Sequence, residues 1–296
     1  MGTSKKLRDL AERYRVTDGR HFRLRDVDPG ETARIESEDE AVQELKASSE
    51  KLRDLQEKLY ADNRWAILII LQGIDAAGKD GTIAHVMAGV NPEGCQVWSF
   101  KAPSKTDLDH DFLWRTAWCR PERGRIGIWN RSYYEEVLVV RVHPELLDAE
   151  NLPERLVSKH IWKERCEDIA AHERYLARNG VVPVKFLLHI SREEQRRRLL
   201  ARLDEPRKNW KFEVGDVAER EHWKDYQNAF EDMVRRTASE QAPWYVVPAN
   251  HKWFARLVVS RVLIETLLGL DPSYPRVDAT RKRELTKIRS ALEHQK

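Results

Sequence analysis

The stretch from Leu71 to Gly81, LQGIDAAGKDG, places Gly73, Gly78 and Lys79 in the order G-x-x-x-x-G-K. That spacing suits a loop that wraps phosphate oxygens: the glycines let backbone N–H groups approach, and the lysine adds a mobile positive charge. Ala76, Ala77, Asp80 and Gly81 complete the loop residues expected around the anion. A helix opening here adds the positive end of its dipole. Asp80, however, occupies the position where such loops usually carry a serine or threonine to ligate magnesium, and Thr82 comes two positions too late to replace it simply. Asp75 supplies a hard carboxylate oxygen suited to Mg2+, and two acids beside a phosphate would repel it unless a cation lay between them. Asp75 is therefore the expected metal ligand. Asp80 reads instead as a first-turn charge that favours the helix dipole.

A second group of candidates lies in WNRSYYEEVLVVRVH, from Trp129 to His143. Asn130 stands where a nucleotide kinase often places a metal-ordering aspartate. Arg131 follows at the expected carboxyl end of a strand, where phosphates bind, and Glu135 is four residues on. The competing reading of Arg131 and Glu135 is a structural i,i+4 ion pair. Lys101 and the run RRRLLAR, Arg196 to Arg202, add positive charge, and PRKNWK beside it adds Lys208 and Lys211. A charge run of this kind is otherwise a solvated helix face. His143 and His189 flank apolar segments and read as structural.

These residues need a framework. RWAILIILQG is a continuous apolar run of the kind buried in a parallel sheet, and it leads directly into the glycine loop. Further strands are expected at Cys95–Phe100, Gly124–Asn130, Val181–Ile190 and Trp244–Asn250, with helical segments between them. Strands alternating with helices indicate a three-layer α/β fold with a parallel sheet and right-handed crossovers. Leu45, Leu52, Leu55 and Leu59 recur at helical spacing and mark an amphipathic helix ahead of the first strand. Residues 1–37 read as an arm with weak structural signals, 38–275 as the main domain with a lid-like excursion at about 191–237, and 276–296 as a charged helical tail.

With 296 residues, 41% hydrophobic and 34% charged, the chain can bury a large core. Its 52 basic and 49 acidic residues nearly cancel, so an acidic ligand must be held by a local cluster. The three cysteines lack metal-ligand spacing and read as reduced core thiols. No export signal is read at the N-terminus, and a cytoplasmic location is expected. The longest apolar runs are too short for a membrane span or carry Arg261 and Glu265.

Six blocks in order, GIDAAGKDG, SFKAPS, LDHDFLWR, NRSYYEEVLVVRVHPE, HISREEQRRRLLARLDEPRKNWKF and APWYVVPANHKWFARL, resemble the polyphosphate kinase 2 family, in particular its class III branch. The resemblance covers roughly Phe22 to Asp271. It implies a P-loop kinase fold close to thymidylate kinase with a helical lid, and dependence on Mg2+, with Mn2+ as the alternative ion. It also implies reversible phosphoryl transfer from inorganic polyphosphate to AMP and ADP, giving ADP and ATP, and a homo-oligomer, dimer or tetramer. Under the resemblance, Asp75 and Lys79 are the loop aspartate and lysine, Asn130 and Arg131 the third-strand motif, and Glu135 the acid that handles the acceptor. Arg198 and Arg202 are the lid arginines, followed by Lys208 and Lys211. Thr106 departs from relatives that carry an acid there. An ATP-dependent nucleoside monophosphate kinase would share loop, lid and sheet, and a non-enzymatic nucleotide switch could share the loop alone. A nucleic-acid partner is not expected, because nearby acids offset the basic residues and no recognised nucleic-acid motif accompanies them.

Overall fold

The computed structural model describes residues 9–33, 35, 37–211 and 215–295, apart from the side chains of Lys208, Lys211 and Asp216. Five parallel strands form the body of the sheet: β2 (Ala66–Gln72), β3 (Cys95–Ser99), β4 (Ile126–Asn130), β5 (Val181–His189) and β6 (Trp244–Pro248). β1 (Arg15–Val16) adds an antiparallel edge on β6, giving the order β1-β6-β5-β2-β4-β3. Every residue of β2 is buried, as the unbroken apolar run requires of a strand flanked on both sides. Its register aligns Leu71 with Asn130 on β4 and with Phe186 on β5. The carboxyl ends of β2 and β4 therefore lie side by side, and the loops that follow them share one rim.

All five strands expected from the sequence form within one or two residues of their expected ends. β1 was not anticipated: it lies in the arm, where Leu10, Ala11, Tyr14 and Leu24 are buried in the common core. The Tyr14 carbonyl accepts from the Val246 amide at 3.0 Å, which fastens the arm to the edge of β6.

Helix α1 (Glu38–Asp62) starts at Ser37, whose side chain accepts from the Glu40 amide, and ends with Asn63 in the left-handed conformation. Its Leu52, Leu55 and Leu59 are buried, and α1 packs against α6 (Lys252–Leu270), as does the short α2 (Lys79–Val86) behind the glycine loop. On β5, α3 (Ile161–Arg178) packs with α5 (Trp223–Thr237) alongside it. Helix α4 (Arg192–Asp204) leaves β5 with Ser191 as its cap. Within the expected lid, α5 is anchored by buried Tyr226, Phe230 and Met233, whereas the residues between 203 and 218 whose burial is described are all exposed. The tail forms α7 (Ala279–Glu293), which buries none of its residues. No described helix is long and apolar enough to cross a membrane.

Candidate active site

The glycine loop occupies the turn between β2 and α2. Gly73 and Gly78 adopt φ of +155° and +101°, and a Cβ on Gly73 would lie 2.9 Å from the Leu188 carbonyl oxygen. The first glycine is thus required by close packing, the second by its backbone. Ala76 is also left-handed, with φ +65°. Lys79 is buried at the start of α2 and donates from Nζ to the Gly73 carbonyl at 2.6 Å. Burial, with Arg131 nearby, pulls its ammonium down to about 8, while Asp75, Glu135 and Asp80 pull the other way. Thr82 directs its hydroxyl to the Gly78 carbonyl at 3.0 Å, so it does not stand in for the missing loop hydroxyl.

The candidates that follow β4 converge on this loop. Arg131 donates from one guanidinium nitrogen to Asp75 at 2.8 Å and from the other to Glu135 at 3.0 Å. The i,i+4 pair therefore exists, but it is part of a three-residue junction between two strand ends. Glu135 and Asp75 hold the Arg131 guanidinium firmly charged, above its ordinary value. Arg131 itself has φ +66°, an uncommon conformation for a side chain of this size. Asn130 donates to Asp80 at 2.6 Å, which joins the second loop aspartate to the same rim.

Helix α4 supports the loop from beneath. Gln195 donates to the Asp75 carbonyl at 3.2 Å. Arg198 is buried and uses all five of its N–H groups: Nε to Glu194 at 2.6 Å, one terminal nitrogen to the Ala76 and Ala77 carbonyls at 3.0 and 2.7 Å, and the other to the Ala249 and Asn250 carbonyls at 2.5 and 3.2 Å. This geometry departs from the phosphate contact expected of Arg198, because a guanidinium with every donor engaged by the protein has none left for an anion. It is a brace for the loop. Arg202 lies one turn farther along, half-buried, and its carbonyl accepts from Asn209 at 2.8 Å. Lys101 is exposed just beyond the carboxyl end of β3. The side chains of Lys208 and Lys211 lie outside the described part of the structure.

Several neighbours of the site escaped the sequence reading. Gln72 is buried at the end of β2, and with its amide oriented to suit its surroundings it accepts from Ser132 and donates to Glu135 at 2.9 Å. Its polar side chain closing an apolar strand was the available signal. Tyr226 of α5 donates to Glu219 at 2.7 Å, and Glu219 also meets His143 at 3.0 Å. His143 thereby ties the segment after β4 to the excursion. His189 is buried and pulled down to about 4 by that burial, in keeping with a structural role.

No cluster of three or more His, Cys, Asp or Glu side chains able to hold a metal occurs among the described residues. Asn130 Oδ1 is buried with no hydrogen-bond partner among them. A rim with Asp75, Asp80 and a spare amide oxygen fits a hard cation of the magnesium type, which is held by one or two carboxylates and completed by phosphate and water oxygens.

The chain is 53% identical over 258 residues to the ADP-polyphosphate phosphotransferase of Rhodopseudomonas palustris, covering 87% of this chain and 89% of that one. It is 44% identical to the AMP/ADP-polyphosphate phosphotransferase of Meiothermus ruber, covering 89% and 95% of the two chains. Among solved structures, polyphosphate kinase 2 from Arthrobacter aurescens superposes with a TM-score of 0.85 at 38% identity, over 94% of this chain and 96% of that one. The family model for polyphosphate kinase 2 matches residues 35–273, from just before α1 to just past the end of α6, and the chain belongs to that family.

Proposed function

We propose that the protein transfers phosphoryl groups from inorganic polyphosphate to AMP and ADP, making ADP and ATP, and that the reaction is reversible. The observation that carries this reading is the Asp75–Arg131–Glu135 junction, which brings the ends of two adjacent parallel strands together beside the buried Lys79. A P-loop rim of this kind offers backbone N–H groups, one mobile ammonium and one forked guanidinium to phosphate oxygens. In transfer, an oxygen of the acceptor's terminal phosphate attacks the end phosphorus of polyphosphate. The P–O bond to the next phosphate breaks, and polyphosphate leaves one unit shorter. Little covalent help is needed from the protein, because such transfers depend on alignment and on neutralising charge.

Lys79 and Arg131 neutralise the transferring group. Arg131 exchanges part of its contact with Asp75 and Glu135 for phosphate, which frees the Asp75 carboxylate. Asp75 would hold Mg2+, whose charge would supply further neutralisation when bound. Arg198, Glu194 and Gln195 hold the loop's carbonyl side against α4, so the loop keeps its shape when anions arrive. Glu135 orients the acceptor. Lys101, Arg202, Lys208 and Lys211 extend positive charge along the polyphosphate chain, and the excursion between α4 and α5 closes over the site. The working unit is a homo-oligomer in the cytoplasm.

The two relatives described above carry different names, one for ADP alone and one for both AMP and ADP. Asn130 permits the broader acceptor range without demanding it, since a neutral amide accepts a longer phosphate tail without the repulsion that a carboxylate would add. The choice of both acceptors rests on the class III resemblance. The test offers AMP and ADP separately to the purified protein with Mg2+ and polyphosphate, with ATP absent at the start. ADP from AMP and ATP from ADP are the expected products; turnover that requires ATP as donor would contradict the reading.

A further inference from the structure

Lys185 interrupts the apolar β5 strand. It and Glu173 of α3 are sealed from solvent, with side-chain exposures of 0% and 1%. All three N–H groups of the ammonium are engaged: Glu173 Oε2 at 2.6 Å, the Thr237 carbonyl at 2.8 Å and the Tyr134 hydroxyl at 3.1 Å. The other carboxylate oxygen, Glu173 Oε1, accepts from the hydroxyls of Tyr133 and Tyr134 at 3.0 and 2.8 Å. Aromatic neighbours enclose the group, with Trp129 5.6 Å from the Tyr133 ring and Trp244 4.9 Å from the Tyr134 ring. An ion pair buried this deeply is a poor source of net stability, because desolvation offsets the attraction and apolar residues of similar volume would serve as well. It does fix two phenol oxygens at defined points.

Those phenols belong to the turn that presents the site. Tyr133 and Tyr134 lie between Arg131 and Glu135, in a 3-10 turn (Tyr133–Val137) capped by Ser132, which accepts from the Tyr134 amide at 3.2 Å. Arg131 enters this turn in the left-handed conformation, a cost that persists only where the surroundings impose it. We propose that Lys185, Glu173, Tyr133 and Tyr134 form a buried positioning device that sets where Arg131 meets the substrate phosphates and where Glu135 orients the acceptor. The device rests on the proposed roles of Arg131 at those phosphates and of Glu135 at the acceptor. Lys185 and Glu173 touch no reacting atom; they act through the turn.

The test replaces both tyrosines with phenylalanine, which removes the two hydroxyls and leaves the Lys185–Glu173 pair, and makes Tyr134→Phe alone in case the double variant does not fold. Leu52→Ala, a core truncation on α1, serves as the control for lost stability. Misplacing the turn should raise KM for AMP on the order of tenfold and lower kcat on a similar scale, as small displacements in a phosphoryl-transfer site do. A purely structural loss reduces the folded fraction and leaves KM unchanged, which is the behaviour expected of Leu52→Ala. KM for AMP within twofold of native in the folded tyrosine variants would overturn the proposal. Arg131→Ala, assayed alongside, separates the causes: if it loses activity while the tyrosine variants keep native KM, only the positioning device is wrong. If Arg131→Ala is itself as active as native, the site assignment fails and the device fails with it.

Discussion

Two clusters of opposite charge lie on either side of the turn after β4, and they are built to different rules. In the first, Arg131 bridges Asp75 and Glu135 with side-chain exposures of 38%, 28% and 17%. In the second, Lys185 and Glu173 are closed off, and every ammonium donor is engaged within the protein. The open cluster can exchange one partner for another because water and ligands reach it; the closed one cannot, since each lost contact would leave a charge buried and unpaired. The comparison separates charge kept for a substrate from charge kept for shape. Arg198 follows the second rule although its sequence neighbours suggested the first.

The largest effect should come from breaking the closed cluster. Glu173→Ala leaves Lys185 buried without its carboxylate and is expected to cost about 3–5 kcal/mol of stability. Arg131→Ala should change stability by less than about 1 kcal/mol, as is usual for part-exposed pairs, yet remove most of the activity. Denaturant unfolding and turnover measured on the two variants check the contrast. Equal stability losses, or a fully active Arg131→Ala, would erase the distinction between the clusters.

A smaller effect sharpens the open cluster from within. Asp75 is shared with Arg131, while Asp80 is tied to Asn130. Under magnesium titration, Asp75→Asn should need more than about tenfold more metal for half-maximal rate, and Asp80→Asn distinctly less than that. The reverse ranking would move the metal role to Asp80.

The smallest effect is a dependence on pH. Because burial pulls Lys79 down to about 8, the free enzyme carries this ammonium below that pH and loses it above. kcat/KM for polyphosphate should therefore fall as pH rises through about 8. Bound polyanion favours the charged form, so the matching fall in kcat at saturation should lie at higher pH. For stability the sign is opposite: folding disfavours the charged form, so the penalty is present below about pH 8 and fades as pH rises through the ordinary lysine range. A flat kcat/KM profile from pH 7 to 9.5 would show that Lys79 charge does not limit polyphosphate capture.

β2 was legible because its apolar run is long and leads into the glycine loop, the other parallel strands because short apolar stretches alternate with helical segments, and the loop because its glycines serve a backbone requirement. β1 was not legible, since two residues pair with β6 through the shape of the finished sheet and carry no pattern of their own. Asp75, Arg131 and Glu135 were candidates in the sequence, while the junction they make depends on the β2–β4 register. The arginine run misled at Arg198: RRRLLAR looks the same whether a given guanidinium faces solvent or lies under the loop. Lys185 did leave a signal, since an ionisable residue inside VVPVKFLLHI needs a buried partner. Nothing local to β5 points to Glu173 on the preceding helix.

The most direct test of the central claim is a time course with purified protein, Mg2+, polyphosphate and AMP, with no ATP and no added adenylate kinase. ADP should appear first and ATP later, while the polyphosphate shortens by one phosphate for each phosphoryl group gained, and Lys79→Ala should abolish most of both steps. Accumulation of ADP alone, with no ATP even when ADP is supplied directly, would contradict the two-step account, and no product without an ATP donor would contradict the claim itself.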